Sequence, residues 1–289
     1  MKKVSEIIES TLSMGNSSDN NLTSGIKGLD NSLTNWRNGE LILISGRPSM
    51  GKTAFMTTLI VNMAVKSKIP VGVFSLVDSE NQLVVNLLSN YCKIDNLGLR
   101  NNSLIKEEWD VLDKKIKDFK NSDIYIECPP KLLIEDLIEK ASSLVKENGV
   151  KAIFIDYVQL LIVTSKYSEN RYNEMNYISR ELKALARELD IPVFVISQMN
   201  RRSETERSNH GLEGLKPRLS DLRDSGTLCD DADVVLFIFR PEYYRITEDE
   251  QGNSLIGTAE ILVKKNRNGY PFNVNLNYKP EYLLFTDIT

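Results

Sequence analysis

An α/β fold, with a mostly parallel central sheet flanked by helices on both faces, is predicted by three features of this sequence. Short apolar runs recur along the chain and alternate with longer stretches of helical periodicity. Within those runs polar residues do not alternate, so the strands must be buried on both faces, as in a parallel sheet. The first run, Leu41–Ser45, leads directly into Gly46-Arg47-Pro48-Ser49-Met50-Gly51-Lys52-Thr53. That spacing, G-x-x-x-x-G-K-[ST], belongs to a phosphate-binding loop, which needs a strand before it and a helix after it.

Taken in order, Val4, Ile7, Ile8 and Leu12 have helical spacing over 4–12, a helix too short to stand without a packing partner. The polar run 13–24 reads as a linker, so residues 1–20 are expected to form a linker helix and polar linker and 21–289 one domain. Strand Leu41–Ser45 precedes a helix over 52–66, and strand Val71–Leu76 precedes helical 79–91. Helices follow over 105–119 and 131–147 with strand Ile124–Glu127 between them, then strand Ala152–Asp156. Over 171–189, Met175, Ile178, Leu182, Leu185 and Leu189 share one helical face. Val193–Ser197 and Val234–Phe239 are further buried strands. The chain ends differently: Ala259–Val263 and Phe272–Asn277 flank Asn268-Gly269, which predicts a C-terminal β-hairpin with positive φ at its turn.

Composition narrows the chemistry. A net charge of −4 leaves no global basic field, so a nucleic acid would need a local patch or several assembled chains. Cys92, Cys128 and Cys229 form no CxxC pair and read as small buried residues of a reducing compartment. The single histidine, His210, argues against a His-ligated metal and against Ser-His-Asp catalysis. No apolar run approaches the ~18 residues of a membrane span, and the start Met-Lys-Lys-Val-Ser-Glu has no apolar signal region. The expected location is cytoplasmic, with no membrane partner.

The loop itself predicts ATP and Mg²⁺ as ligands. Glycines let the backbone wrap phosphate oxygens, so Gly46, Arg47, Pro48, Ser49, Met50, Gly51, Lys52, Thr53 and Ala54 are the candidate nucleotide-binding residues. Lys52 would neutralise β/γ-phosphate charge and the Thr53 hydroxyl would ligate Mg²⁺. Asp156 ends the apolar run Ala152–Ile155, where open α/β sheets bind ligands, and is expected to hold the metal side. Gln198, after the run 193–197, is either a sensor of the γ-phosphate or the start of a loop. Arg267, beside the Asn268-Gly269 turn, is either a solvated turn residue or an arginine finger reaching a neighbour's nucleotide. Segment 200–223 carries Arg201, Arg202, Arg207, Lys216, Arg218 and Arg223 among acidic residues and reads as a mixed solvated loop or a functional one.

A wider set of motifs then falls into place. Gly46–Thr53, Phe74-Ser75-Leu76, Ile155–Leu160, Ser179–Lys183, Ile196–Arg201, Leu219–Gly226, Asp231-Ala232-Asp233 and Lys265–Gly269 occur in the order of the motifs of DnaB-type replicative helicases, whose C-terminal ATPase domain this chain resembles from about Leu22 to Phe285. The resemblance implies a RecA-like P-loop NTPase fold and an ATP-dependent DNA helicase motor. It implies a homo-oligomeric ring, normally a hexamer, with ATP between subunits. Lys52, Asp156, Gln198, Lys265 and Arg267 would be catalytic, with Lys265 and Arg267 acting in trans on a neighbour's γ-phosphate. Arg223, Asp224 and Gly226 would touch single-stranded DNA in the channel. Helix 4–12 would be the linker helix that docks on an adjacent subunit. Primase and a helicase loader are further partners the family suggests, and its full-length members carry an N-terminal domain ahead of such a linker.

Two positions depart from the family pattern. A glutamate that activates the attacking water is expected after Phe-Ser-Leu, where this chain has Val77; Asp78 or Glu80 are the carboxylates nearby. An arginine expected soon after Gln82-Leu83 is replaced by Asn86. Loss of a water-activating base commonly costs about 10²–10⁴ in rate. The alternative reading is therefore an ATP-binding ring or partner-binding module that is weakened in hydrolysis. A recombinase-like ATPase on the same fold is disfavoured by the Leu-Arg-Asp-Ser-Gly and Lys-x-Arg motifs.

Overall fold

Apolar runs that cannot be satisfied at a surface are what order this chain into layers. The structure, a computed structural model, describes Val4 and residues 22–33, 35–164, 170–199 and 211–288; the side chains of residues 223–226 fall outside that description. Helix 4–12, apart from Val4, and segment 200–210 therefore lie outside the described residues.

The elements run in order as α1 (Lys27–Leu33), β1 (Leu41–Gly46) and α2 (Lys52–Ile60), the last continuing as a π-helical turn over Val61–Lys66. Then come β2 (Val71–Ser75), α3 (Glu80–Cys92), α4 (Asn96–Arg100), α5 (Lys106–Lys120) and β3 (Ile124–Glu127). Next are β4 (Leu132–Leu133), α6 (Ile134–Asn148), β5 (Ala152–Asp156), β6 (Leu161–Ile162) and α7 (Arg171–Leu189). Strand β7 (Val193–Gln198) is followed by α8 (Gly211–Leu215), a 3-10 stretch Leu219–Ser225, α9 (Gly226–Asp231) and β8 (Val234–Phe239). Strands β9 (Thr258–Asn266), β10 (Phe272–Lys279) and β11 (Leu284–Asp287) complete the fold.

Among the described residues, nine strands form one sheet in the order β11-β10-β9-β8-β1-β7-β5-β2-β3. From β8 to β3 all pairings are parallel, and β9, β10 and β11 add antiparallel strands at the other side. The α/β prediction, with its mostly parallel sheet and C-terminal hairpin, is what is observed. Strand alternation divides the core in two. Ile42, Ile44, Phe154, Phe194, Ile196, Leu236 and Ile238 pack with Phe55, Leu59 and Met63 of α2 and its extension. Leu41, Leu43, Ile153, Ile155, Val193, Val195 and Phe237 face the opposite way, onto Leu137 of α6 and Met175, Ile178 and Leu182 of α7. Phe154 and Phe194 stack with centroids 4.7 Å apart, and Trp36 meets Phe194 edge-on at 5.0 Å. Among the described residues, no helix is long and apolar enough to cross a membrane.

The hairpin turn differs from expectation. Neither Asn268 nor Gly269 has positive φ. Strand β9 continues along β8 to Asn266, past its last pair with β10 at Val263↔Phe272, so the connection is longer than a two-residue turn. The Gly269 N–H donates to the Asn266 carbonyl (3.3 Å) and the Asn268 N–H to the Asn266 side chain (3.2 Å), closing a turn that ordinary negative φ satisfies.

Helices α1, α4, α8 and α9, the 3-10 stretch Leu219–Ser225, strand β11 and the small β4–β6 pair were not visible in the sequence pattern, which reads 200–223 as a loop. Strand β11 and α1 hold each other: the Asp287 carboxylate accepts from the N–H groups of Lys27 and Gly28, both at 3.0 Å. This caps the first turn of α1 from a residue 260 positions away. Asp287→Ala is expected to lower the unfolding free energy by about 1 kcal/mol, read as a lower urea midpoint at unchanged slope; an unchanged midpoint would show that the cap contributes nothing.

Candidate nucleotide-binding site

Strand β1 stops at Gly46 and α2 starts at Lys52, so the intervening loop turns above the carboxyl ends of the parallel strands. Ser49 (φ 64°) and Gly51 (φ 93°) are left-handed, and Gly46 has φ 154°. A Cβ on Gly51 would meet the Phe285 and Tyr278 rings at 3.2 and 3.4 Å, so both conformation and space call for glycine there. The N-terminus of α2 directs its unpaired N–H groups into the loop, a site suited to an anion.

Lys52 lies across this loop, its Nζ donating to the Gly46 and Arg47 carbonyls at 2.9 Å each. Burial lowers its pKa to about 8, with Asp156 partly opposing the shift. The Thr53 hydroxyl donates to Asp156 Oδ2 at 2.7 Å. Burial raises the Asp156 pKa to about 6; the Thr53 hydrogen bond and Lys52 hold it back, while the Asp78 charge adds to the rise. A hydroxyl and a carboxylate side by side at the mouth of an anion loop are the hard oxygen donors Mg²⁺ takes, with its other positions left for water and phosphate. Burial also leaves the ionised carboxylate poorly solvated, a cost a bound cation would offset. The residues present therefore fit the ion.

Gln198 ends β7 directly beside Gly46 in the sheet register and is exposed. Its backbone is fixed by Gln159, whose amide nitrogen donates to Ser197 Oγ (2.8 Å) and the Gln198 carbonyl (3.3 Å). Lys52, Thr53, Asp156 and Gln198 thus converge. Supports the sequence reading missed come from beyond β8. Arg240 donates to the Ser49 carbonyl (3.1 Å) and lies 4.5 Å over the Tyr278 ring, and Arg47 hydrogen-bonds Tyr244. Nothing in the local spacing of these residues marks them as neighbours of the loop.

Lys265 and Arg267 are elsewhere. Strand β9 runs antiparallel to β8, and Asn266 pairs with Val234, at the opposite end of the strands from Gly46, which abuts Ile238. Four strand residues separate the two levels, about 13 Å. Lys265 Nζ caps the carbonyls of Cys229 and Asp230 at 2.8 Å. Arg267 is 60% exposed and bonds Asp233 Oδ1 at 3.0 Å. Asp233 also accepts from Lys183 and the Leu41 N–H. Burial opposes its ionisation, yet these bonds, Lys183 foremost, outweigh it and hold the pKa below the ordinary value. Arg223 and Asp224 lie in the 3-10 stretch and Gly226 opens α9, well apart in sequence and element from the phosphate loop.

Asp78 is near enough to Asp156 for its charge to act on that carboxylate. Asp78 is half-buried, and burial raises its pKa against the pull of Arg100 and a hydrogen bond from Asn86. Val77 is 56% exposed.

Residues 21–287 match the family described as the DnaB-like helicase C terminal domain. Among similar proteins, the "Replicative DNA helicase DnaB" of Rickettsia typhi is 36% identical, covering 98% of this chain and 61% of that protein. The protein of the same name from Geobacillus stearothermophilus is 36% identical over 92% of this chain and 56% of its own length. The chain therefore spans less than two thirds of these relatives. Of solved structures, one described as an ATPase domain superposes with a TM-score of 0.87 at 29% identity, covering all of both chains. A DnaB-like replicative helicase, solved together with its interactions with primase, gives 0.83 at 29% identity, covering all of this chain and 68% of the other. A RadB recombinase at 18% identity and TM-score 0.53 shares the fold.

The buried charge of Asp156 yields a sign-defined prediction. Its folded pKa of about 6 exceeds the ordinary 3.8, so the cost of ionising it in the fold appears as pH rises through about 4 and is complete above about 6. Asp156→Asn is expected to stabilise the nucleotide-free protein by about 1–3 kcal/mol at pH 7.5, with the gain vanishing toward pH 4, while Mg²⁺-dependent nucleotide affinity falls. Denaturant melts across this pH range test it; equal stability at pH 7.5 would contradict the burial cost.

Proposed function

The chain belongs to the DnaB-like helicase C-terminal domain family, and we propose that it is the motor of an ATP-driven DNA helicase whose nucleotide sites lie between subunits of a ring. One observation carries this reading. The phosphate loop and the Lys265–Arg267 tip stand at opposite ends of the same sheet, so a complete site needs the tip of a second copy. A hexamer is the expected closure.

In this reading Lys52 leaves the Gly46 and Arg47 carbonyls to pair with the β- and γ-phosphates. Thr53 and Asp156 would hold Mg²⁺, which when bound would neutralise phosphate charge. Gln198 senses the γ-phosphate at the end of β7 and passes its presence to the segment that follows. Arg267 exchanges Asp233 for the neighbour's γ-phosphate, with Lys265 beside it, and stabilises charge on the transferred group. Arg223, Asp224 and Gly226 line the channel and hold the single-stranded DNA backbone without reading bases. Residues 1–20 act as the linker to a neighbouring subunit and 21–289 as the motor. The setting is the cytoplasm, and a primase or a helicase loader is the expected protein partner. The weakened-ring alternative, which rests on Val77, is not favoured by relatives named as replicative helicases.

Sharing of the site is testable by mixing. Lys52→Ala and Arg267→Ala proteins should each lose about 10²-fold or more of DNA-stimulated ATP turnover. Mixed together, they should regain part of it, because some interfaces then pair an intact loop with an intact tip. A mixture no more active than its components would contradict a shared site. Arg223→Ala should weaken binding to single strands of every sequence and reduce the salt dependence; a loss confined to certain sequences would contradict a backbone contact.

A further inference from the structure

The carboxylate of the site, Asp156, is engaged by the Thr53 hydroxyl and assigned above to Mg²⁺, so a separate group is needed to take a proton from water. Val77 occupies the position where the family resemblance leads one to expect that group, and its side chain is apolar and exposed. We propose that Asp78 is the water-activating carboxylate of this chain and that Asn86 and Arg100 position it. The proposal rests on the ATP-hydrolysing reading above.

The backbone supplies the first reason. Ser75 of β2 lies beside Asp156 of β5, and the Leu76 N–H donates to the Asp156 carbonyl at 2.7 Å. On a straight strand, residues 77 and 78 would then point to opposite faces. The chain instead turns back, and the Asp78 N–H donates to Ser75 Oγ at 3.1 Å. This turn returns Asp78 to the strand ends beside Asp156, close enough that its charge acts on that carboxylate. Ser79 then caps α3, its Oγ accepting from the Gln82 N–H at 3.4 Å. Asp78 is thereby anchored between a strand and a helix, whereas Glu80 lies exposed in the first turn of α3 beyond that turn.

The side-chain network supplies the second. Asn86 is buried on α3 and donates from Nδ2 to Asp78 Oδ2 at 3.0 Å. Its own Oδ1 accepts from Asn96 Nδ2 (3.1 Å) and faces Arg100 Nη2 (3.5 Å), both on α4. A buried amide with this many partners has one orientation, and it engages Asp78 Oδ2; among the described residues no hydrogen bond to Oδ1 is seen, so that oxygen can take a water. Arg100 brings to this network from α4 the positive charge that the family pattern leads one to expect at position 86. The two departures in sequence, Val77 and Asn86, are on this account one coupled rearrangement: the carboxylate has moved one residue along and the cation has moved to the next helix.

In the step assigned to Asp78, the water oxygen forms a bond to the γ-phosphorus as its proton passes to Asp78 Oδ1. The bond from the γ-phosphorus to the bridging oxygen breaks, ADP leaves with that electron pair, and the proton is released from Asp78 to solvent with inorganic phosphate as the second product.

The test uses the full chain with Mg²⁺ and single-stranded DNA. Asp78→Asn should bind a non-hydrolysable ATP analogue within about threefold of the parent, while turnover falls about 10²–10⁴-fold. Adding Val77→Glu to Asp78→Asn should recover at least tenfold of the loss. Asp78→Asn turning over within threefold of the parent, where Lys52→Ala is inactive, would overturn the role of Asp78 and leave the ATPase reading standing. An equal fall in analogue affinity and turnover would also overturn it, by making Asp78 a binding residue. A parent that binds the analogue but shows no turnover with ATP would overturn both.

Discussion

A buried carboxylate, Asp156, held by the Thr53 hydroxyl at the end of a parallel strand, is the constraint on which the rest of the site depends. Its oxygen is 2.7 Å from Thr53, which ties the end of β5 to the first turn of α2 across the sheet. Burial makes its ionisation costly without a cation, which suits the pair to the Mg²⁺ proposed for it. Strand register then aligns the other groups. Gly46 lies beside Gln198 and Ser75 beside Asp156, so the phosphate loop and the groups proposed to hold metal and activate water share one edge. A slip of one residue in any of these strands would turn that residue set to the other face of the sheet.

The same parallel register puts Arg267 out of reach of the loop in its own chain. At the far end of β8, Asp233 gathers the Leu41 N–H, Lys183 and Arg267, and so joins the start of β1 to α7 and to the β9–β10 connection. Arg267 is the exposed member of that cluster, the one that can leave without opening the core. In the proposed shared site, Arg267 would leave this cluster while Asp233 keeps Lys183 and the Leu41 N–H as partners.

Apolar runs made the central sheet legible in the sequence. Strands Ala152–Asp156 and Val234–Phe239 end where the pattern predicts, because burial on both faces leaves no choice of residue type; the edge strand Ile124–Glu127 is only partly buried and is legible from its apolar residues alone. The phosphate loop was legible because its chemistry is local in sequence. What escaped was short or distant. Helix α4 has only five residues and includes Gly98, and β11 is short and half-buried at its end. The Asn268-Gly269 turn misled because β9 runs on to pair with β8, which lengthens the connection and removes the need for positive φ. Asp78 escaped for a related reason: alternation assumes a straight strand, and the chain bends just after Ser75. Arg240 and Tyr244 reach the loop only through tertiary packing, about 190 residues on.

The central claim, that half of each nucleotide site comes from a neighbouring copy, is tested most directly by determining the structure of the chain with Mg²⁺, ADP, aluminium fluoride and single-stranded DNA. The account predicts a ring in which Arg267 of one subunit has left Asp233 and contacts the fluoride group in the site of the next. A filled site closed by residues of its own chain, with Arg267 still paired to Asp233, would contradict it.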